Sequence, residues 1–134
     1  MALQYSTTVR NAKLDAVETA IGTAPILKIL SGAMPANCGT ADSGTTVVST
    51  ALPSDWLAAA SGGSKAKAGT WQASAVGTAS ASYFRIADSA QAACHIQGLV
   101  SQSTASGEMV IDNSVVSTGQ VVTVNSFTLT AGNP

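Results

Sequence analysis

Two neighbouring residues, Cys94 and His95, are the first candidates for chemistry, because a thiol beside an imidazole can act as a nucleophile and its base. They fall in the stretch ACHIQGLVS, whose alternation of apolar and polar residues predicts a β-strand. Adjacent strand residues point to opposite faces of a sheet. We therefore expect no catalytic pair here. The predicted apolar side of the strand holds Cys94, Ile96, Gly98 and Val100, and the polar side holds His95.

Cys38 is the second cysteine, and it lies far from Cys94 in the sequence. Such a pair is compatible with a disulfide, but in a reducing compartment cysteines are more often buried thiols, which is the interpretation we favour. A zinc site needs three or four ligands, usually at short spacings. Cys38, Cys94 and His95 fall short of that number, so we expect no metal site.

The carboxylates are scattered along the chain. They are Asp15, Glu18, Asp42, Asp55, Asp88, Glu108 and Asp112. A glycosidase needs two carboxyls at a set distance, which the sequence does not reveal, and a chain with only 4% aromatic residues disfavours a sugar cleft. The sequence also lacks a G-x-S-x-G elbow, a phosphate loop and a dinucleotide fingerprint. We therefore expect no enzymatic activity, no catalytic residue and no cofactor.

Two of the six basic residues, Lys65 and Lys67, stand in the stretch SGGSKAKAG, residues 61–69. Its glycines and serines predict a flexible loop. The favoured interpretation is a solvated hairpin tip. The functional alternative is an arm that folds against an acidic surface of a partner, since loops on rigid scaffolds often carry such contacts. Lys65 and Lys67 are therefore the candidate partner contacts.

The composition excludes several classes of partner. Charged residues make up 10% of the chain and the net charge is −1, so the basic patch of a nucleic-acid binder is absent. No apolar run approaches the ~18 residues of a membrane span, and the first residues lack the pattern of a signal peptide. We expect no nucleic acid and no membrane. A surface so poor in charge indicates partner contacts together with neutral Ser and Thr side chains.

The elements that position these residues begin with a helix over 7–22. Leu14, Val17 and Ile21 recur at helical spacing, with Thr7 or Thr8 as the N-cap and Gly22 after the last turn. This narrow apolar stripe favours a helix that covers one end of a sheet. The alternative is a helix that docks on a neighbouring subunit.

A β-rich body over 25–134 follows, and with the helix it forms a single domain over 1–134. Short strands with turn signals between them predict a mainly β fold, an antiparallel β-sandwich, jelly-roll-like fold or barrel with a short N-terminal helix. Within the body, SDWLAAAS after Pro53 predicts one or two further helical turns capped by Ser54. A polar loop is expected over 101–107.

The stretch QVVTVNSFTLTAG, residues 120–132, changes its alternation in the middle. Val122 and Val124 share one parity, whereas Phe127 and Leu129 share the other. One extra residue in a strand has this effect, so we predict a β-bulge near Asn125. The alternative is two short strands separated by a kink.

The organisation of the chain resembles that of small virion structural proteins of tailed bacteriophages, most closely the head decoration, or cement, proteins. The resemblance covers almost the whole chain and is carried most by residues 112–133. The matching segments are LQYSTTVRNAKLDAVETAIG, SDWLAAASGGSKAKAGTW, YFRIADS, CHIQG and IDNSVVSTGQVVTVNSFTLTAGN. The family implies no catalytic residues.

This resemblance implies a protein that binds the outer surface of the major capsid shell and stabilises the head. It implies a virion location on the capsid exterior after assembly in the host cytoplasm. The expected partners are the major capsid protein and further copies of the chain, as a homo-dimer or homo-trimer, since decoration proteins occupy symmetry axes.

Two other functions remain open from the sequence. One is a different virion part, such as a tail-tube or head–tail connector subunit. The other is a carbohydrate-binding module on the virion. The latter predicts an exposed aromatic platform around Trp56, Trp71 or Tyr83, although large apolar side chains are more often core.

Overall fold

The computed structural model describes residues 3–102 and 108–132. Most of the predicted polar loop, residues 103–107, lies outside this part. The described chain is mainly β with one short N-terminal helix, which confirms the predicted fold class. The helix is α1 Thr7–Ile21, and the strands are β1 Ile26–Leu30, β2 Thr46–Ala51, β3 Ser64–Ala66, β4 Gln72–Ser74, β5 Ala79–Ser80, β6 Tyr83–Ala87, β7 Cys94–Ser101, β8 Met109–Ile111, β9 Val115–Val116 and β10 Val121–Thr130.

The helix α1 begins at Thr7, as predicted, but its N-cap lies one residue before the predicted caps. The hydroxyl oxygen of Ser6, rather than that of Thr7 or Thr8, accepts a hydrogen bond from the Val9 N–H at 3.3 Å. At the other end Gly22 has a φ of 92°, a conformation that favours glycine. Leu14 and Ile21 are buried, so α1 covers the sheet as the favoured interpretation states.

The main sheet has the strand order β2-β1-β6-β7-β8-β10-β3, and β4 also pairs with β10. Every pairing of the described strands is antiparallel except that of β7 with β8. These two strands run parallel, with Val100 opposite Met109. The expectation of a purely antiparallel sheet is therefore wrong at this pair. The connection between the two strands includes the residues outside the described part.

The sheet curls into a half-barrel because its two ends approach each other. The Val76 N–H, just after β4, donates to the Val47 carbonyl oxygen of β2 at 2.8 Å. The core lies inside the curl. Its largest buried side chains include Trp56, Trp71, Phe84 and Phe127, whose rings follow one another with centroids 5.4–6.1 Å apart. Rings at such spacings attract one another beyond the burial of their area.

Strand β10 has the predicted bulge. Val124 faces Ile111 of β8, but Ser126 faces the preceding residue Val110, so Asn125 is the extra residue. Val122, Val124 and Phe127 are all buried, although their spacing breaks the two-residue period of a strand. The bulge therefore keeps both halves of β10 turned towards the core, and the prediction near Asn125 is confirmed.

A second ribbon lies at one end of the fold, and we call it the outer ribbon. It consists of segments 72–80 and 115–123, which run antiparallel through the pairings of β4 with β10 and of β5 with β9. Ala75, Val116 and Val122 point inwards and are buried. The side that points outwards carries Val76, Val115 and Val121, which are 59%, 68% and 51% exposed.

Two local predictions are wrong. Residues 54–61 form no helix, because Trp56 and Leu57 bury their side chains in the core and the backbone pairs with a neighbouring segment. The Ala58 N–H donates to the Ala66 carbonyl oxygen, and the Trp56 carbonyl accepts from the Ala68 N–H. Tertiary contacts thus override the local helical signal.

The stretch 61–69 is not a free loop. It makes a tight turn in which Ser61 and Ser64 exchange backbone hydrogen bonds, and it then enters β3 beside β10. The helix α1 docks on this turn, since the Gly63 N–H donates to the side-chain oxygen of Asn11 at 2.9 Å. The glycines here shape a hairpin against α1 instead of giving a mobile arm.

Candidate functional site

The most polar buried region lies where the loop of residues 31–45 crosses the face of β1 and β6 that points away from the core. Tyr83 of β6 is buried under this loop. Its hydroxyl donates to the Ser43 carbonyl oxygen at 2.6 Å and accepts from the Ser43 N–H at 3.0 Å. The Gln97 side chain on β7 donates to the Pro35 carbonyl oxygen at 2.9 Å.

Arg85 is the central residue of this region and is only 4% exposed. Its guanidinium donates to Asp42 Oδ1 at 2.6 Å and to the carbonyl oxygens of Asn37 and Cys38 at 3.2 and 2.9 Å. Lys28, opposite Arg85 in the sheet, donates to the other oxygen of Asp42 at 2.9 Å. A buried guanidinium needs such partners, so Arg85 fixes the loop at several points.

These contacts also set the protonation of the cluster. The hydrogen bond from Lys28 contributes most to holding the pKa of Asp42 below its usual value, and the hydrogen bond from Arg85 and the charges of both side chains add to it. Burial acts in the opposite direction but does not cancel these contributions. Burial alone would lower the pKa of Arg85, but the hydrogen bond to Asp42 raises it overall. At neutral pH the cluster therefore holds two cations around one carboxylate.

A cavity of about 340 Å³ opens beside this cluster. Its lining includes Lys28, Cys38, Asp42, Arg85, Ala87 and Cys94. The two cysteines are both partly exposed, and their sulfur atoms are 3.1 Å apart. The structure thus brings together two thiols that are 56 positions apart in the chain.

The position of Cys94 corrects a prediction. Ile86 faces Ile96, but Ala87 faces Cys94, so His95 is an extra residue in β7. This bulge turns Cys94 to the side of Arg85 and the cavity, away from the apolar side on which it was predicted. Burial first, and then the hydrogen bond to Cys38, raise the pKa of the Cys94 thiol to about 11, while the charge of Arg85 acts in the opposite direction.

His95 and Cys94 have separate partners. His95 Nε2 lies 3.4 Å from Asp88 Oδ2, and Cys94 contacts Cys38. Asp88 also accepts from the Ala92 N–H, which is the main reason that its pKa is lowered, ahead of the contribution of His95. This carboxylate closes the turn between β6 and β7.

The candidate partner contacts, Lys65 and Lys67, lie in different surroundings. Lys65 is only 3% exposed, and its amine is 2.8 Å from Asp15 and 3.2 Å from Glu18 on α1. Burial alone would lower the pKa of Lys65, but the two carboxylates raise it overall. The expectation that Lys65 is solvated is therefore wrong, since its charge joins α1 to β3.

Lys67 keeps a partly exposed side chain. Its amine donates to the Gly69 carbonyl oxygen at 3.0 Å and lies 5.9 Å from the centre of the Trp71 ring. Contact between a partner and these lysines remains a prediction, and Lys67 is the one that solvent reaches. The structure does not bring the two amines together as a single patch, because they point to different neighbours.

The aromatic platform that a carbohydrate-binding module would need is not formed by the predicted residues. Trp56, Trp71 and Tyr83 are each at most 1% exposed. The indole N–H groups of Trp56 and Trp71 donate to the carbonyl oxygens of Gly22 and Ala68. Trp56 and Trp71 are therefore core residues, and Tyr83 is buried under the 31–45 loop.

Within residues 3–102 and 108–132, no three His, Cys, Asp or Glu side chains stand together as metal ligands. No helix in this part of the chain is long and apolar enough to span a membrane. No family model, curated protein sequence or solved structure matches the chain. The chemistry of the site must therefore be inferred from its own geometry.

Sequence reasoning missed the cluster of Lys28, Asp42 and Arg85. One signal could have found it. An arginine in the apolar strand SYFRIAD needs a buried anion, and the nearby loop GAMPANCGTADSG offers Asp42 as well as many backbone carbonyls. The sequence did not show which of the seven carboxylates would come close, because that depends on how the loop folds back over the sheet.

Proposed function

We propose that the chain is a structural virion component that binds the outer surface of a phage capsid and stabilises the head. The observation that carries this proposal is how the molecule uses its charges. Nearly all of them are engaged in intramolecular contacts, and the outer ribbon presents aliphatic side chains. A surface of this kind suits permanent packing against other proteins, since the cores of protein interfaces are depleted in charged residues.

All six basic side chains have partners within the chain. Arg10 donates to the Ala131 carbonyl oxygen at 2.7 Å, and Lys13 lies over the Tyr5 ring. The other four are those of the two ion clusters and Lys67. Association through such a surface would depend little on salt, because screening acts mainly on exposed charges.

The outer ribbon is the surface that we assign to the capsid. Its outward side combines Val76, Val115 and Val121 with hydroxyl side chains, among them Thr78 and Thr118, which are hydrogen-bonded to each other at 3.1 Å. Burying the valines would contribute the apolar part of the contact, at about 25 cal/mol per Å². The resemblance to cement proteins supplies the partner, namely the major capsid protein, and self-association as a dimer or trimer is part of the proposal.

Binding to expanded capsids tests this function. The shells are assembled from the major capsid protein of the same phage. Binding is measured as the amount of this protein bound to the shells at each free concentration of the protein. We expect saturable binding and a higher melting temperature of the capsid. The double variant Val115→Ser/Val121→Ser should bind about tenfold to hundredfold more weakly, from the apolar area that it removes.

The matched control is Val9→Ser, which makes the same change at an exposed position on α1, away from the outer ribbon. It should bind like the unchanged protein. Absence of binding by the unchanged protein would contradict the capsid function. Equal weakening by both changes would contradict the assignment of the outer ribbon.

A further inference from the structure

The cavity beside Arg85 holds the only two cysteines of the chain, Cys38 in the 31–45 loop and Cys94 at the start of β7. We propose that these residues are a redox-controlled disulfide site. Two-electron oxidation joins their sulfur atoms and adds a covalent link between the 31–45 loop and the sheet, and reduction removes this link. This inference does not depend on the proposed function, because it rests on the geometry of the thiols alone.

The two cysteines are positioned by contacts that do not involve their sulfur atoms. The carbonyl oxygens of Asn37 and Cys38 both accept hydrogen bonds from Arg85. Cys94 is held by its pairing with Ala87 in the sheet, next to the bulge at His95. The sulfur atoms are 3.1 Å apart, so closing to the ~2.05 Å of a disulfide needs a movement of about 1 Å.

The bulge in β7 is the feature that brings the thiols together. Without the extra residue His95, Cys94 would lie on the core side of the strand with Ile96, as the alternation of the sequence predicts. With it, Cys94 faces the cavity and Cys38. The local irregularity of the strand thus has a chemical result.

The reaction needs an oxidant of the low-molecular-weight disulfide class, such as oxidised glutathione. The Cys38 thiolate attacks one sulfur atom of that disulfide and releases one small thiol. The Cys94 thiolate then attacks the Cys38 sulfur atom, and the second small thiol leaves. Two protein thiols are oxidised, one small disulfide is reduced to two thiols, and every proton and electron is accounted for.

The order of attack follows from the surroundings of the sulfur atoms. The pKa of Cys94 is raised to about 11 by burial and by Cys38, so Cys94 is the weaker first nucleophile. The cations that face the cavity are Lys28 and Arg85, and the carboxylate is Asp42. The charge of Arg85 favours the Cys94 thiolate, which assists the second attack.

Closing this bond would stabilise the fold. It joins residues 56 positions apart, and cross-links over long loops restrict the unfolded chain most. We expect the melting temperature of the oxidised protein to lie roughly 5–15 °C above that of the reduced protein. Disulfides are disfavoured in reducing compartments and persist in oxidising ones, so the bond would close when the protein passes from the first to the second.

The test treats the purified full chain with oxidised glutathione or with an excess of a reducing agent. Intact mass and free-thiol titration report the state of the cysteines, and calorimetry reports the melting temperature. We expect the disulfide to form within one chain. The oxidised protein should lack free thiols, have lost the mass of two hydrogen atoms and melt at the higher temperature. Reducing agent should reverse every change.

Cys38→Ser and Cys94→Ser are the matched controls. Each should keep one thiol, accept at most one glutathione, and lose the redox dependence of the melting temperature. Cys38→Ala and Cys94→Ala serve the same purpose if a serine variant fails to fold. Free thiols that persist in the unchanged protein, a bond between two molecules, or equal melting temperatures in both states would overturn the proposal.

Discussion

At the scale of single residues, two buried cations join distant segments of the chain. Arg85 and Lys65 are nearly inaccessible to solvent, and each is bound by a carboxylate from a distant segment. A sequence shows where a basic residue occurs, but not whether a carboxylate will cover it. The stretch around Lys65 is rich in glycine and serine, so its composition indicated a solvated tip, whereas α1 covers it.

Lys65→Ala tests this burial. Lys65 of β3 is nearly fully buried and its amine joins Asp15 and Glu18 of α1, so we expect the free energy of unfolding to fall by about 1–3 kcal/mol. Urea unfolding at neutral pH measures the change. Lys67→Ala is the matched control and should change stability by less than about 0.5 kcal/mol. If the two variants were equally stable, the assigned burial of Lys65 would be wrong.

A second prediction concerns the pH dependence of stability under reducing conditions. The pKa of Cys94 is raised to about 11 from 9.0, so the folded state keeps the proton longer than the unfolded state does. The stabilising contribution is complete below pH 9 and is lost as pH rises towards 11. Because the thiol is partly exposed, the loss between about pH 8 and about pH 10 should be about 1 kcal/mol.

The measurement is urea unfolding at the two pH values with reducing agent present. Cys94→Ser removes the titrating thiol and should show a smaller alkaline loss than the unchanged protein. The difference between the two proteins isolates Cys94 from other groups that titrate at high pH. An alkaline loss of the same size in both would contradict the raised pKa.

At the scale of elements, most of what was predicted came from residue periodicity. The spacing of Leu14, Val17 and Ile21 predicted α1, and the parity change in β10 predicted the bulge at Asn125. Periodicity works at these places because a buried face must repeat with the period of its element. Periodicity did not predict the bulge at His95 in β7. Strongly apolar residues lie on only one side of this bulge, so the alternation of the sequence does not change parity there.

The candidate site was less predictable than the fold. Local capping signals wrongly predicted a helix over 54–61, and composition predicted a solvated hairpin tip over 61–69, where the hairpin is present but α1 covers it. The cavity is formed by the 31–45 loop over β1 and β6, a contact between segments distant in sequence. Contacts of this kind depend on tertiary packing, which no window of neighbouring residues reports.

Deleting Asn125 tests the function of the bulge in β10. Without it, the residues after Val124 would reverse their parity, and Phe127 would turn away from the core. We expect the deletion to lower the free energy of unfolding by about 3 kcal/mol or more, the cost of losing a large buried side chain.

The control is Asn125→Ala, which keeps the number of residues in the strand. Asn125 is exposed, so this change should cost less than about 1 kcal/mol. Chemical denaturation of both variants gives the comparison. A deletion variant as stable as Asn125→Ala would show that the register of β10 does not depend on the extra residue.

At the scale of the whole molecule, the fold combines an interior of buried aromatic and aliphatic side chains with a surface that carries little charge. Trp56, Trp71 and Tyr83, which a sugar-binding module would display, are buried, and the basic residues that a nucleic-acid binder would display are engaged within the chain. The outer ribbon remains as an exposed aliphatic surface. We infer a building component of a larger particle, with the capsid exterior as its proposed location.

Cryo-electron microscopy of the intact particle tests this central proposal most directly. We predict density for the curled sheet and α1 on the outside of the capsid shell, repeated at its symmetry axes, with the outer ribbon against the major capsid protein. Density for the fold in the tail tube or at the head–tail connector would contradict the decoration function, and so would its absence from the particle.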